Sequence, residues 1–251
     1  ASNIDNDWAW ISALNSSFKA KLTNASEDYS LLAVQGPKAI EAMQELTDFD
    51  LASLPFYGHT TTTFAGLENI IVATTGYTGS GGVEIYCKND VVAQLWEAIF
   101  KAGATFGVQA IGLAARDTLR LEMGYCLYGN EINDSSSPIA AGLGWVTRPA
   151  TAFVNAESIN EQKEKGTKDK LVGFELIDRG IPRTGHDIVT EEGTVIGQVT
   201  SGTQSPSLNK AIGLGYVPTE KAIPGTSIHI QVRNKVLAAK VVKLPFYTPQ
   251  K

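Results

Sequence analysis

Ser30-Leu31-Leu32-Ala33-Val34-Gln35-Gly36-Pro37-Lys38-Ala39-Ile40-Glu41-Ala42-Met43 joins a β-prone run to a helix through a Gly-Pro step. Ser30 to Gln35 reads as a short apolar strand. Pro37 suits the first turn of a helix, where a missing N–H forfeits no hydrogen bond, and Ile40, Met43 and Leu46 fall on one face. Downstream, Thr60 to Phe64 and Asn69 to Thr74 are β-prone runs flanking Ala65-Gly66, which predicts a hairpin. Val83 to Cys87 follows as a further strand, then Asp90 to Lys101 as a helix burying Val91, Leu95, Trp96 and Ile99. Strand, helix, hairpin, strand and helix make the split βαβ, or ferredoxin-like, pattern. Upstream, Asp5-Asn6-Asp7 offers N-cap groups to a helix with Trp8, Ile11, Leu14 and Phe18 at helical spacing.

Between Ala150 and Lys170 the chain turns polar, and Asn155 to Lys165 reads as a solvated surface helix closed by Gly166. This places a domain boundary there, giving residues 1–166 and 167–251. Beyond it, Leu171 to Leu176, Asp187 to Thr190, Val195 to Thr200, Ala211 to Val217, Ser227 to Val232 and Val236 to Leu244 are short β-prone runs. Glu192-Gly193, Pro224-Gly225 and Arg233-Asn234 supply turns between them. Closely spaced strands without helical signal predict a small barrel or sandwich. The fold class is therefore α+β followed by a small C-terminal β domain.

A net charge of −5 argues against nucleic acid or an anionic membrane as partner, since both reward basic patches. An anionic small ligand would need a local cationic anchor. No apolar run approaches the length of a membrane span, and no secretory signal is visible. Cys87 and Cys126 are too few for a disulfide framework. His59, His186 and His229 are scattered, with no His or Cys at helical spacing from them, so no metal site is expected.

Gly76 to Gly82 (Gly-Tyr-Thr-Gly-Ser-Gly-Gly) resembles a phosphate-cradling loop in composition only. It lacks the Lys-Ser/Thr ending, and a glycine-rich turn between strands is the simpler reading. In Val83-Glu84-Ile85-Tyr86 the side chains alternate, so Glu84 and Tyr86 share one face. A carboxylate inside such a strand is solvated, paired or bound to a ligand, because a lone buried charge is costly. As a ligand group it could accept two parallel N–H donors from a planar heterocycle.

The densest segment is Gly112 to Glu131 (Gly-Leu-Ala-Ala-Arg-Asp-Thr-Leu-Arg-Leu-Glu-Met-Gly-Tyr-Cys-Leu-Tyr-Gly-Asn-Glu). It opens as a helix, breaks at Gly124, and carries Arg116 and Arg120 one turn apart. Apolar residues around much of that helix leave at least one arginine half-buried. Such an arginine is either ion-paired with Asp117 or Glu122, or it anchors a ligand carboxylate.

Six motifs, in order, resemble the T-protein of the glycine cleavage system. They are Gly76 to Ile85, Gly112 to Glu122, Leu127 to Glu131, Arg179 to Arg183 (Arg-Gly-Ile-Pro-Arg), Val199 to Leu208 (Val-Thr-Ser-Gly-Thr-Gln-Ser-Pro-Ser-Leu) and Leu244 to Tyr247. The resemblance implies a tetrahydrofolate-dependent aminomethyltransferase that takes its group from the lipoyl arm of H-protein. Its products are 5,10-methylenetetrahydrofolate, ammonia and the reduced arm. It also implies two interleaved ferredoxin-like α+β domains and a C-terminal β-barrel arranged around a folate channel. By the same resemblance Glu84 grips the pterin, Arg116 belongs to the folate site, and Tyr77 lies near the folate. Tyr125, Tyr57 and Tyr247 are aromatic wall positions or plain packing. Arg116 is suited by its charge to hold the anionic part of the cofactor.

The family carries roughly a hundred further residues ahead of the match, including an aspartate that positions folate for transfer. That aspartate is expected upstream of Ala1. The chain is accordingly expected to be the rear two-thirds of a T-protein, inactive or impaired by itself. The resemblance further implies a monomer in the cytoplasm, or in the mitochondrial matrix of a eukaryote. Two alternatives stay open: the folate domain of a sarcosine- or dimethylglycine-oxidising enzyme, and a non-catalytic folate-binding iron–sulfur assembly protein. The second typically carries Lys-Gly-Cys-Tyr-x-Gly-Gln-Glu where this chain has Met123 to Glu131, and no flavin-binding segment is present to support the first.

Overall fold

The computed structural model describes residues 3–148 and 150–248. They form two compact units, one of residues 3–76 and 80–110, the other of residues 77–79 and 111 onward.

In the first unit, α1 (Ile4–Leu14) precedes β1 (Tyr29–Gln35), α2 (Ala39–Gln44), β2 (His59–Phe64), β3 (Leu67–Ala73), β4 (Gly82–Lys88) and α3 (Val92–Gly103). The strands form one antiparallel sheet in the order β1-β4-β3-β2. The connection through α2 therefore carries the chain from one edge to the other, and two strands lie between β1 and β2. The expected hairpin is present. Ala65 and Gly66 both take positive φ, 53° and 75°, the pairing that matches a two-residue turn to strand twist.

One face of the sheet carries Val34, Val72, Val83, Ile85 and Cys87 against Ala42 and Met43 of α2 and Leu95 and Ile99 of α3. Trp96 departs from the expected buried set: it is 46% exposed and rests on Phe100, ring centres 4.8 Å apart. Leu95 and Ile99 stand one turn apart and define the buried stripe, and Trp96 is rotated about 100° away from it. Val91 is half-buried and precedes α3. Helix α1 begins at Ile4, ahead of the expected cap, because Asp5 and Asp7 are favoured within a first turn by the helix dipole. It has no buried residue, and Trp10 is 57% exposed.

The second unit holds α4 (Leu113–Glu122), α5 (Ala156–Lys165) and six strands: β5 (Asp169–Leu176), β6 (Asp187–Val189), β7 (Val195–Ser205), β8 (Lys210–Pro218), β9 (Ser227–Val232) and β10 (Lys235–Val242). They close as an antiparallel barrel in the order β10-β5-β8-β7-β6-β9. Closure removes both sheet edges. The interior is filled by Val172, Phe174, Ile188, Val199, Val217, Ile228, Ile230, Ala239 and Val241. Strand β8 is buried along most of its length, because Ile212 and Leu214 pack outside the barrel against Leu121 of α4, together with Leu244 and Phe246. Thus α4 is docked on the barrel wall, and the loop that leaves it is positioned from there. No helix among the described residues is long and apolar enough to cross a membrane.

Candidate functional site

In the first unit, Glu84 lies on the sheet face opposite the helices. Val83, Ile85 and Cys87 are buried on the helix side, and alternation sends Glu84 and Tyr86 the other way. Register places Glu84 between Ala33 of β1 and Ala73 of β3, so its cross-strand neighbours end at a methyl group. The carboxylate is half-buried, and the hydroxyl of Thr75 donates to its Oε2. Among the described residues no cationic side chain pairs with it. An ionised carboxylate has about four lone-pair sites, so most of this group's accepting capacity faces outward, open to N–H donors.

The backbone beside Thr75 is held from β1, where Gln35 Nε2 donates to the carbonyls of Thr75 and Val83 at 3.1 and 3.2 Å. Gly76 is packed against that same amide: a Cβ there would meet Gln35 Oε1 at 1.8 Å. The glycine of the Gly-Tyr-Thr-Gly motif therefore serves close approach. Tyr57 is 62% exposed and packs on Phe56, ring centres 4.2 Å apart. Its N–H donates to the Thr74 carbonyl at 3.3 Å, next to Thr75.

In the second unit, α4 ends in a Schellman motif. Gly124 (φ 69°) donates to Leu121 at 2.8 Å and Tyr125 donates to Arg120 at 2.9 Å. That turn delivers the Tyr125 ring to Tyr77, with ring centres 5.8 Å apart and planes inclined by 26°. The Tyr77 hydroxyl donates to the Cys126 carbonyl. Arg116 completes the group: its guanidinium carbon lies 5.0 Å from the centre of the Tyr77 ring, within cation–π range. Arg116 is exposed and pairs with no carboxylate among the described residues. Burial raises the Tyr77 hydroxyl above its usual pKa, with Arg120 and Arg116 pulling down and Glu131 pushing up. Tyr247 is half-buried, and its N–H donates to the Glu122 carbonyl at 3.1 Å.

Of the two helix arginines, Arg120 is the buried one, fully enclosed. It pairs with Asp117 at 2.8 Å, as one expectation had it, and also with Glu131 at 2.7 Å. Glu122 has a different partner set, accepting from the Ser205 hydroxyl at 2.5 Å and from Ser207 N and Oγ at 3.2 and 2.8 Å. Glu131, Thr75 and Ser201 were not singled out from sequence. Glu131 closes the Leu-Tyr-Gly-Asn-Glu motif and Ser201 lies in the Val-Thr-Ser-Gly motif, which were the available signals; Thr75 carries none beyond its hydroxyl. Burial, then Glu131, pushes the Cys126 thiol up to about 11, so it is no nucleophile at neutral pH. No cluster of three or more His, Cys, Asp and Glu suited to a metal ion occurs among the described residues.

The first unit thus offers an acceptor carboxylate flanked across the strands by Ala33 and Ala73, and the second an exposed guanidinium over the Tyr77 ring, which stacks with Tyr125. An α+β unit followed by a closed six-stranded barrel, with these motifs, defines the class. The GCVT N-terminal domain family matches residues 1–151, and the glycine cleavage T-protein C-terminal barrel domain matches residues 170–248. The chain belongs to the glycine cleavage T-protein family, a family of aminomethyltransferases.

Among its curated relatives is the aminomethyltransferase of Flavobacterium psychrophilum, 55% identical over 247 residues, which are 98% of this chain and 68% of the relative. That of Bacteroides thetaiotaomicron is 53% identical over 248 residues, with the same two shares, 98% and 68%. The crystal structure of glycine cleavage system aminomethyltransferase T from Bartonella henselae matches with a TM-score of 0.79 at 34% identity. The match spans 87% of this chain and 60% of that one.

Proposed function

We propose that the chain binds tetrahydrofolate and serves aminomethyl transfer in glycine cleavage, the group coming from the lipoyl arm of H-protein. The observation that carries this reading is Glu84: a half-buried carboxylate without a cationic partner among the described residues, oriented by one neutral donor from Thr75. A pterin edge offers a ring N–H beside an exocyclic amine, two parallel donors that a carboxylate accepts together. Arg116 is the cationic anchor for the anionic tail of the cofactor, and Tyr77 beneath it gives the guanidinium an apolar, polarisable support. Tyr125 extends that support, and Tyr57 and Tyr247 are the further wall positions. Tetrahydrofolate supplies the nucleophilic nitrogens that take up the one-carbon unit. The donor set of this chain fits its two ends, an acceptor for the heterocycle and a cation for the carboxylates.

In the net reaction the carbon–sulfur bond to the arm is replaced by bonds from carbon to two folate nitrogens. The amino group leaves as ammonia and the arm sulfur regains a proton, so no oxidant is required. The residues named here bind and orient. The reading extends to a monomeric cytoplasmic protein whose macromolecular partner is lipoylated H-protein. The test is incubation of the chain with tetrahydrofolate and aminomethylated H-protein, reading bound folate and methylenetetrahydrofolate formed. Binding of folate supports the reading; a chain that neither binds folate nor forms product sinks it.

A further inference from the structure

Arg120 and Glu131 stand behind the Tyr77–Tyr125 pair, and the assignments above make no use of them. We infer that this buried ion pair is the positioning unit of the aromatic platform, holding the loop of residues 125–131 in the one shape that places both rings. Its bearing on folate affinity rests on the proposed function; its bearing on the loop does not.

A guanidinium has five N–H donors in a fixed fork. Nε donates to Asp117 Oδ1 at 2.9 Å, Nη1 to the Tyr125 carbonyl at 3.2 Å and to Glu131 Oε2 at 2.7 Å. Nη2 donates to Ser201 Oγ at 2.7 Å and reaches Asp117 Oδ1 at 2.8 Å. Glu131 is equally occupied: Oε2 also accepts from Leu127 N at 2.9 Å, and Oε1 from the Thr200 hydroxyl at 2.8 Å. The loop is thus fixed at its entry through the Tyr125 carbonyl, in its middle through Leu127 N, and at its exit through the Glu131 side chain. The Cys126 carbonyl, which takes the Tyr77 hydroxyl, lies between the first two of these points. One charge pair therefore sets both the place of Tyr125 and the acceptor that orients Tyr77. A bulge in β7 between Val199 and Ser201 presents Thr200 and Ser201 to the pair, which explains that part of the Val-Thr-Ser-Gly motif.

Glu122 supplies the control. It is as buried as Glu131, yet it grips Ser205 and Ser207, outside the loop. In Glu131→Gln the shape is kept and the Thr200 hydroxyl can turn to accept from the amide NH₂, but the buried Arg120 guanidinium loses the full counter-charge that holds it to the loop.

Amide exchange is followed by mass spectrometry in the parent, Glu131→Gln and Glu122→Gln, and each is titrated with tetrahydrofolate. Glu131→Gln is expected to exchange about ten- to a hundredfold faster across residues 125–131 and to bind tetrahydrofolate weaker by a similar factor. Glu122→Gln keeps the parent's values in both. Should Glu131→Gln fail to fold, Thr200→Ala removes a single fixing and is expected to shift both readouts in the same direction by a few-fold. Exchange across residues 125–131 no faster in Glu131→Gln than in Glu122→Gln overturns the inference. A parent that binds no tetrahydrofolate removes the proposed function instead, and the exchange data alone then decide the positioning role.

Discussion

The guanidinium of Arg116 lies 5.0 Å from the centre of the Tyr77 ring and pairs with no carboxylate among the described residues. An exposed arginine normally gains little from a surface ion pair. Here it is instead oriented by an aromatic face and left with its hydrogen-bonding edge available. Arg116→Ala is expected to weaken tetrahydrofolate binding about tenfold or more. It should also flatten the fall in affinity as salt is raised, since a screened charge pair is lost. Arg116→Lys keeps the charge but not the planar fork, and is expected to recover only part of the affinity. Calorimetric titration at two salt concentrations checks all three.

The turn at Gly124 links the fold to this group. Its φ of 69° completes the Schellman motif, and a Cβ would meet Leu244 at 2.9 Å. Gly124→Ala is expected to cost about 1–3 kcal/mol in urea unfolding, from strain in the left-handed region, and to displace Tyr125, which follows it.

Ser205→Ala removes a fully buried hydroxyl from Glu122. Leaving that carboxylate one donor short should cost about 1–3 kcal/mol. Affinity for tetrahydrofolate is expected to stay at the parent value, because Ser205 lies outside the loop of residues 125–131.

Alkaline pH should probe the buried thiol. Cys126 is pushed from its ordinary 9.0 to about 11 by burial first and Glu131 next. The folded state therefore keeps a proton that the unfolded chain gives up, and stability falls as pH rises from about 9 to about 11. Tyr216, pushed to about 12 from 10.0 by burial, extends the decline. Cys126→Ala is expected to lessen the loss between pH 9 and 11, read from melting temperatures across that range.

The parts of the fold that follow local rules were legible in the chain itself. The Ala65-Gly66 hairpin, the alternation that isolates Glu84, the helix break at Gly124 and the barrel strands are set by period and turn chemistry. Trp96 was misplaced because an apolar residue one step off the buried stripe looks the same in a list of hydrophobic positions. That one of the two helix arginines is enclosed and pairs with Asp117 was among the readings open from sequence, but not that it is Arg120 rather than Arg116, nor its second partner. Glu131 lies eleven residues away around a loop and Ser201 eighty-one away in the barrel, separations at which spacing carries no information. Thr75 escaped for the same reason, since its role depends on where β3 and β4 place their ends.

The central claim is that Glu84 grips the heterocycle of a folate. The most direct measurement is a tetrahydrofolate titration of the parent, Glu84→Gln and Glu84→Ala, with melting temperatures recorded alongside. The account predicts saturable binding by the parent and a loss of at least about tenfold in both variants, with folding retained because the side chain lies on the face away from the core. Equal affinity in the parent and Glu84→Ala would contradict it.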